Sequence, residues 1–220
     1  MDFDAGWLIS KLTMMGPLWL SLSVHEWAHA WSAHKLGDDT ASLQGRLTLN
    51  PLAHIDPIGT FLLPLLGIPF GWAKPVPINP LRFRSDVTMR TGMLLTAAAG
   101  PISNLILAAL CLLFLLLAKL TGVEQSEWGT SVFALLHMMI LLNVILAAFN
   151  ALPVPPLDGS RVADSLMPDA LRRPWEAFYA CGNYALLGLI FLPNLLGISL
   201  FGWIYPLVGS LEAWILSFAG

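Results

Sequence analysis

Charge is what this chain has least of. Asp, Glu, Lys and Arg make up 11% of its 220 residues, where a soluble domain carries about 25%. So little charge cannot coat a globule in water. With 56% hydrophobic residues, part of the solvent must be lipid. Basic tracts are missing too, which excludes nucleic acid as an expected partner. The two cysteines, Cys111 and Cys181, cannot build a disulfide framework. Both lie in apolar stretches and read as small hydrophobes. The first residues, Met-Asp-Phe-Asp, lack a basic region, so no cleavable signal peptide is expected. Internal repeats, low-complexity runs and stretches long enough for a separate soluble domain are all absent.

What remains is a set of long apolar runs. A membrane helix needs about 20 apolar residues. Thr91 to Ala118 is uncharged and bracketed by Arg90 and Lys119. Trp128 to Leu157 is uncharged apart from the titratable His137. Ala177 to Leu211 is uncharged but broken at Pro193-Asn194 and Gly197, so it reads as two helices. With a first helix from Trp7 to Leu36, the expectation is an all-α polytopic membrane protein of about five transmembrane helices. Ile58 to Gly71 is apolar but short and carries Pro64 and Pro69. It reads as a re-entrant or interfacial segment. Gly45-Arg46-Leu47-Thr48-Leu49-Asn50 alternates in polarity before Pro51, which predicts a small β element. The whole of 1–220 is expected to form one integral-membrane domain, with a core over about 7–165 and accessory C-terminal helices over about 175–218.

The basic residues set the expected topology. Lys35, Arg46, Lys74, Arg82, Arg84 and Arg90 follow the first helix, and Arg161, Arg172 and Arg173 follow Asp158. Glu124 and Glu127 lie in the loop between Lys119 and Trp128. The positive-inside rule puts the first two segments in the cytoplasm and the third outside. The N-terminus is then outside and the C-terminus inside. The β element falls on the cytoplasmic side.

Against this background His25-Glu26-Trp27-Ala28-His29 stands out, because it ends an uncharged run from Leu12 to Val24. Ionisable groups at membrane depth call for a partner or a function. The H-E-x-x-H spacing puts both histidines on one helical face, where they can bind one Zn²⁺ and leave the glutamate as general base. The bland alternative is a contact with lipid headgroups. A catalytic zinc usually takes three protein ligands plus water, so a third is owed. Asp158 is the candidate: it ends an apolar span in Asn150-Ala-Leu-Pro153-Val-Pro155-Pro156-Leu-Asp158-Gly159. Its alternative role is to cap a turn before Gly159.

These motifs resemble those of the site-2 protease family of intramembrane zinc metalloproteases. His25 to His29 matches that family's H-E-x-x-H, and Asn150 to Gly159 matches its N-x-x-P-x-P-x-x-D-G. Ala99-Gly-Pro-Ile-Ser-Asn104 is a third matching element. Gly45 to Pro57 and Gly71 to Pro77 look like a compact prokaryotic branch, without a PDZ insert or a CBS domain. The resemblance implies that His25, His29 and Asp158 ligate one Zn²⁺ per chain and that Glu26 handles the water. It also implies substrates that are transmembrane segments of other proteins. The expected location is a prokaryotic cell (inner) membrane, with the active site toward the cytoplasm.

Other polar residues carry more than one reading. Asn150 could stabilise an oxyanion or bond between helices. Asn104 carries the same two readings, with the structural one favoured because it lies one turn from Gly100 on one helical face, where close packing is expected. Arg46, Leu47, Thr48, Leu49 and Asn50 could bind an unwound substrate by edge pairing. His54 and Asp56 could orient a zinc ligand, form an inhibitory or substrate-binding pair, or cap the turn before Pro57. His34 and His137 read as structural. The competing function is a zinc-binding membrane protein without hydrolysis: a transporter, a sensor or a pseudoprotease. A transporter needs polar groups along a path through the bilayer, whereas here they cluster on one side.

Overall fold

The computed structural model describes residues 5–62, 65 and 72–219. They fall into two compact units, Met1–Gly92 and Met93–Gly220.

The first unit is built on α1 (Ala5–Lys35). Pro17 lies inside this helix, and nearby serine hydroxyls fold back onto it. Ser21 Oγ donates to the Pro17 carbonyl at 2.8 Å and Ser23 Oγ to that of Trp19 at 2.6 Å. Hydroxyls bonded within their own helix can be buried in an apolar setting. Gly37 stops the helix with φ of 108°. Asp38 N–H then reaches the Ala33 carbonyl and Gly37 N–H that of His34, a Schellman closure that needs a left-handed residue. A short helix, α2 (Thr40–Leu43), closes the same way at Gly45, where φ is 67°.

The expected β element is not there. Among the described residues no strand forms, and Gly45 to Asn50 is a turn followed by bends. Its hydrogen-bonding groups are spent elsewhere. Arg46 N–H closes α2 on the Ala41 carbonyl. Thr48 Oγ1 accepts from Asn50 N–H, and Asn50 Oδ1 accepts from Leu52 N–H, capping a 3₁₀ turn over Pro51–Ala53. Alternating polarity specifies a strand only where a second strand can pair with it, and none lies alongside.

From Trp72 to Asn79 the chain is neither helix nor strand. The stretch is a single strap fastened to the rest of the unit. Trp72 O accepts from Thr60 Oγ1 at 2.6 Å, and Lys74 N–H donates to the His54 carbonyl at 2.9 Å. Asn79 N–H donates to Asp38 Oδ2 at 2.6 Å. Pro57–Leu62 forms a π-helical turn, capped by Asp56 Oδ1 on the N–H groups of Ile58 and Gly59. Most of the expected re-entrant segment, Ile58 to Gly71, lies outside the described residues.

Helix α3 (Met89–Leu120) begins in the first unit and continues into the second. The second unit adds α4 (Gly129–Asn150), α5 (Asp158–Leu166), α6 (Arg172–Ala180), α7 (Gly182–Leu195) and α8 (Ile204–Leu216). Its core joins Cys111, Leu112 and Leu115 of α3 to Met139 and Ile140 of α4 and to Ile204 and Val208 of α8. Leu105, Ile106, Leu113 and Phe114 of α3 point outward, about half exposed, as a lipid-facing surface requires.

The protein is all-helical among its described residues, with α3 and α4 long and apolar enough to cross a membrane. A third crossing is available if Asp169–Ala180 and Gly182–Pro193, bent by 74°, form one broken span. The apolar α8 is shorter, at 13 residues.

Polar stitches tie the second unit together. Asn104 Nδ2 donates to Asn143 Oδ1 at 2.8 Å, and Asn143 Nδ2 donates to the Met139 carbonyl. His137 Nδ1 lies 2.6 Å from Glu212 Oε2, linking α4 to α8. Asn104 and His137 thus take the structural roles expected of them.

Candidate metal centre

A helix repeats every 3.6 residues, so positions four apart stack on one face. In the C-terminal half of α1 this aligns His25 and His29. Their Nε2 atoms lie 3.1 Å apart, with the rings edge to face at 85°. Both side chains are buried. Zinc–nitrogen bonds of about 2.0–2.1 Å meeting at a tetrahedral angle would put two nitrogens about 3.3 Å apart. The observed pair fits that apex. Without an ion the same geometry is a hydrogen bond between one protonated and one bare nitrogen.

Glu26 is buried beside them, and Oε2 accepts the Val76 N–H at 2.9 Å. The bond spans 50 positions of sequence and fixes one carboxylate oxygen. Val76 was missed by sequence reasoning, yet a signal existed. In Pro75-Val76-Pro77 only Val76 has an N–H to give.

Asp158, in the second unit, opens α5. It is buried and lies one position inside the N-cap residue Leu157. The proline-broken segment before it returns on itself through Val154 N–H to Leu152 O and Leu157 N–H to Val154 O. Gly159 packs onto the carbonyls of Ala151 and Leu152, where any Cβ would collide. Asn150 Nδ2 donates to the Leu146 carbonyl, one turn back in its own helix, at 3.0 Å. That uses one of its two amide hydrogens.

The stretch Arg46 to Asn50 is placed within the first unit. Arg46 is 6% exposed, and one of its guanidinium nitrogens donates to the Lys74 carbonyl. Thr48 O accepts from His54 Nε2 at 2.8 Å. A nitrogen that bonds a carbonyl must carry the proton, so in the neutral ring His54 Nδ1 is a bare lone pair. It is buried and makes no hydrogen bond, and the same holds for Arg46 Nε as a donor. Asp56 caps the π-helical turn, one of the roles open to it from sequence. His34 pairs with Asp39 at 2.6 Å on an exposed surface, away from any such cluster.

The family profile described as Peptidase family M50 matches residues 118–192. The chain is 42% identical over 175 residues to "Putative zinc metalloprotease YwhC" of Bacillus subtilis (strain 168), covering 79% of this chain and 78% of that one. It is 28% identical over 219 residues to "Putative zinc metalloprotease Rip2" of Mycolicibacterium smegmatis, covering 98% of this chain and 73% of the relative. The protein of the same name from Mycobacterium tuberculosis (strain H37Rv) is 29% identical over 217 residues, with the same two coverages. No solved structure matches the chain. The similarity to the first of these relatives runs through most of both sequences, and on that ground the chain belongs to Peptidase family M50.

Proposed function

We propose a division of labour for this intramembrane zinc metalloprotease, in which His25, His29 and Asp158 hold one Zn²⁺ and Glu26 is the general base. The observation that carries it is the His25–His29 pair, converging at 3.1 Å beside a glutamate already oriented by Val76. Zinc, when bound, supplies a Lewis acid and lowers the pKa of a water to about 7. Glu26 takes the proton from the attacking water on a carboxylate oxygen and delivers it to the leaving amine. Asn150 turns its second amide hydrogen toward the developing oxyanion.

Substrates are transmembrane segments of other membrane proteins, cut within or near the bilayer. A helical substrate must unwind first, because its scissile carbonyl is engaged in i→i−4 bonding. Leu47, Thr48, Leu49 and Asn50 line the approach for the unwound peptide. Leu49 is the apolar contact, half exposed just after the bends at Leu47 and Thr48. Residues 1–220 act as one domain, with the core over about 7–165 and the C-terminal helices over about 175–218 as accessories. The chain crosses a prokaryotic cell membrane about five times, with the zinc end of α1 toward the cytoplasm. The basic residues after α1 and after Asp158 support that orientation.

The test uses purified protein in detergent. Bound zinc and cleavage of a single-span substrate are measured for wild type, Glu26→Gln and Asp158→Ala. About one zinc in wild type and Glu26→Gln, less in Asp158→Ala, and cleavage by wild type alone are expected. Full zinc in Asp158→Ala would overturn the third ligand and turn attention to the bare Nδ1 of His54. Cleavage by Glu26→Gln would remove the base.

A further inference from the structure

We infer that Arg46 is a positioning residue for Glu26, acting through the strap from Trp72 to Asn79 rather than by touching substrate. This rests on the reading of Glu26 as the base.

Arg46 is the one buried Lys or Arg among the residues whose exposure is described. A buried cation is rare unless it is paired, yet no carboxylate among the described residues meets this one. Its guanidinium donates to the main-chain carbonyl of Lys74. Two residues on, the Val76 N–H donates to Glu26 Oε2.

Four main-chain groups of the strap are fastened: Trp72 O by Thr60 Oγ1, Lys74 N–H by the His54 carbonyl, Lys74 O by Arg46 and the Val76 N–H by Glu26. His54 is held in turn by its own ring on Thr48 O. Pro75 and Pro77 flank Val76 and offer no N–H, so the strap cannot replace that donor from a neighbour.

The strap is thus a bracket whose Glu26 end is fixed by its Lys74 end. With Arg46 removed, the Lys74 carbonyl loses its buried donor and the Val76 N–H moves with it. Glu26 remains beside the histidines but loses its orientation toward the water. A small misplacement of a catalytic group slows the chemical step more than it weakens binding. A substrate contact would show the reverse, and at 6% exposure Arg46 is poorly placed for one.

The experiment measures kcat and KM for a single-span model substrate, with bound zinc and the unfolding temperature in parallel. Its variants are Arg46→Ala, Arg46→Lys, Val76→Pro and the double Arg46→Ala/Val76→Pro. Losing Arg46 should lower kcat about 10–100-fold, with KM and zinc within about twofold of wild type. Arg46→Lys should recover part of the loss, because an ammonium can still donate to one carbonyl. Val76→Pro, which deletes the N–H itself, should reproduce the fall in kcat. The double variant should be no slower than the slower single, since both act through one bond.

A raised KM at unchanged kcat in Arg46→Ala would make Arg46 a substrate contact and overturn the inference. So would losses that multiply in the double variant, full kcat in Val76→Pro, or loss of zinc in step with kcat. Should Arg46→Ala fail to fold, Arg46→Lys and Val76→Pro carry the test. Glu26→Gln runs alongside. If that variant still cleaves, the base assignment fails by itself, whatever Arg46 does.

Discussion

Asp38 Oδ2 accepts the Asn79 N–H at 2.6 Å, joining residues 41 positions apart. The other oxygen accepts from Thr40 N–H and from Thr40 Oγ1. One fully buried carboxylate therefore holds the turn into α2 and pins the far end of the strap that orients Glu26. Asp38→Asn keeps the shape but presents an NH₂ where Asn79 needs an acceptor. Thermal unfolding in detergent should show a loss of about 2–3 kcal/mol, the scale of a charged hydrogen bond replaced by an unsatisfied donor. Protease nicking between Trp72 and Arg84 should rise with it. An unchanged unfolding temperature would mean that the strap does not depend on this anchor.

Gly159 is the second point where space decides chemistry. A Cβ there would lie 2.5 Å from the Leu152 carbonyl oxygen and closer still to Ala151. Both are backbone, so neither can swing aside. Gly159→Ala must push the start of α5 away and carry Asp158 with it. Bound zinc and cleavage should both fall. Gly188→Ala is the control, since nothing lies within 4 Å of a Cβ there, and it should keep both. Equal zinc in the two variants would argue against Asp158 as a ligand.

How legible this was in the sequence differs by element. The H-E-x-x-H face was readable because helix periodicity alone puts His25 over His29. The long helices α3 and α4 were readable because uncharged runs of that length have few alternatives. The β element at Gly45 was not. Its alternation mimics a strand, whereas the decisive facts are local: a left-handed Gly45 and side-chain bonds from Thr48 and Asn50. The Pro-rich loop from Phe70 to Pro80 reads from sequence as a frame for the site's entrance, but not as the support of Glu26. Its role depends on contacts with residues 46, 54 and 26 that no local pattern encodes. Only the lone N–H between Pro75 and Pro77 hinted at it. Glu212 went unnoticed for the same reason, since its meaning comes from His137 on another helix.

The Asn104–Asn143 bond offers a simple packing test. Both side chains are fully buried, and Asn143 Oδ1 accepts from the Asn104 amide while its own Nδ2 bonds Met139 O one turn back. Asn143→Leu leaves the Asn104 amide with a lost acceptor. Side-chain bonds between membrane helices are worth about 0.6–2 kcal/mol. A stability loss in that range is expected, with zinc content unchanged because neither residue serves the metal. Zinc loss in Asn143→Leu would instead tie this pair to the site.

The His137–Glu212 pair yields a prediction with a definite order. Its two side chains are unequally covered, at 47% exposure for His137 and 11% for Glu212. Glu212 Oε1 is buried without a hydrogen bond, so Oε2 on His137 is the carboxyl's main anchorage to α4. His137→Leu strips that bond from the better-buried partner and should cost more, about 2–3 kcal/mol. Glu212→Leu strands only a half-exposed imidazole that lipid headgroups or water can reach, and should cost about 1 kcal/mol or less. Replacing both by leucine extends the apolar contact of α4 with α8 around Met139 and Val208 and should return stability close to wild type. Thermal unfolding of the four proteins, read as a double-mutant cycle, checks the order. A double variant as unstable as His137→Leu alone would show that the helices need this polar link itself, rather than the absence of an unpaired charge.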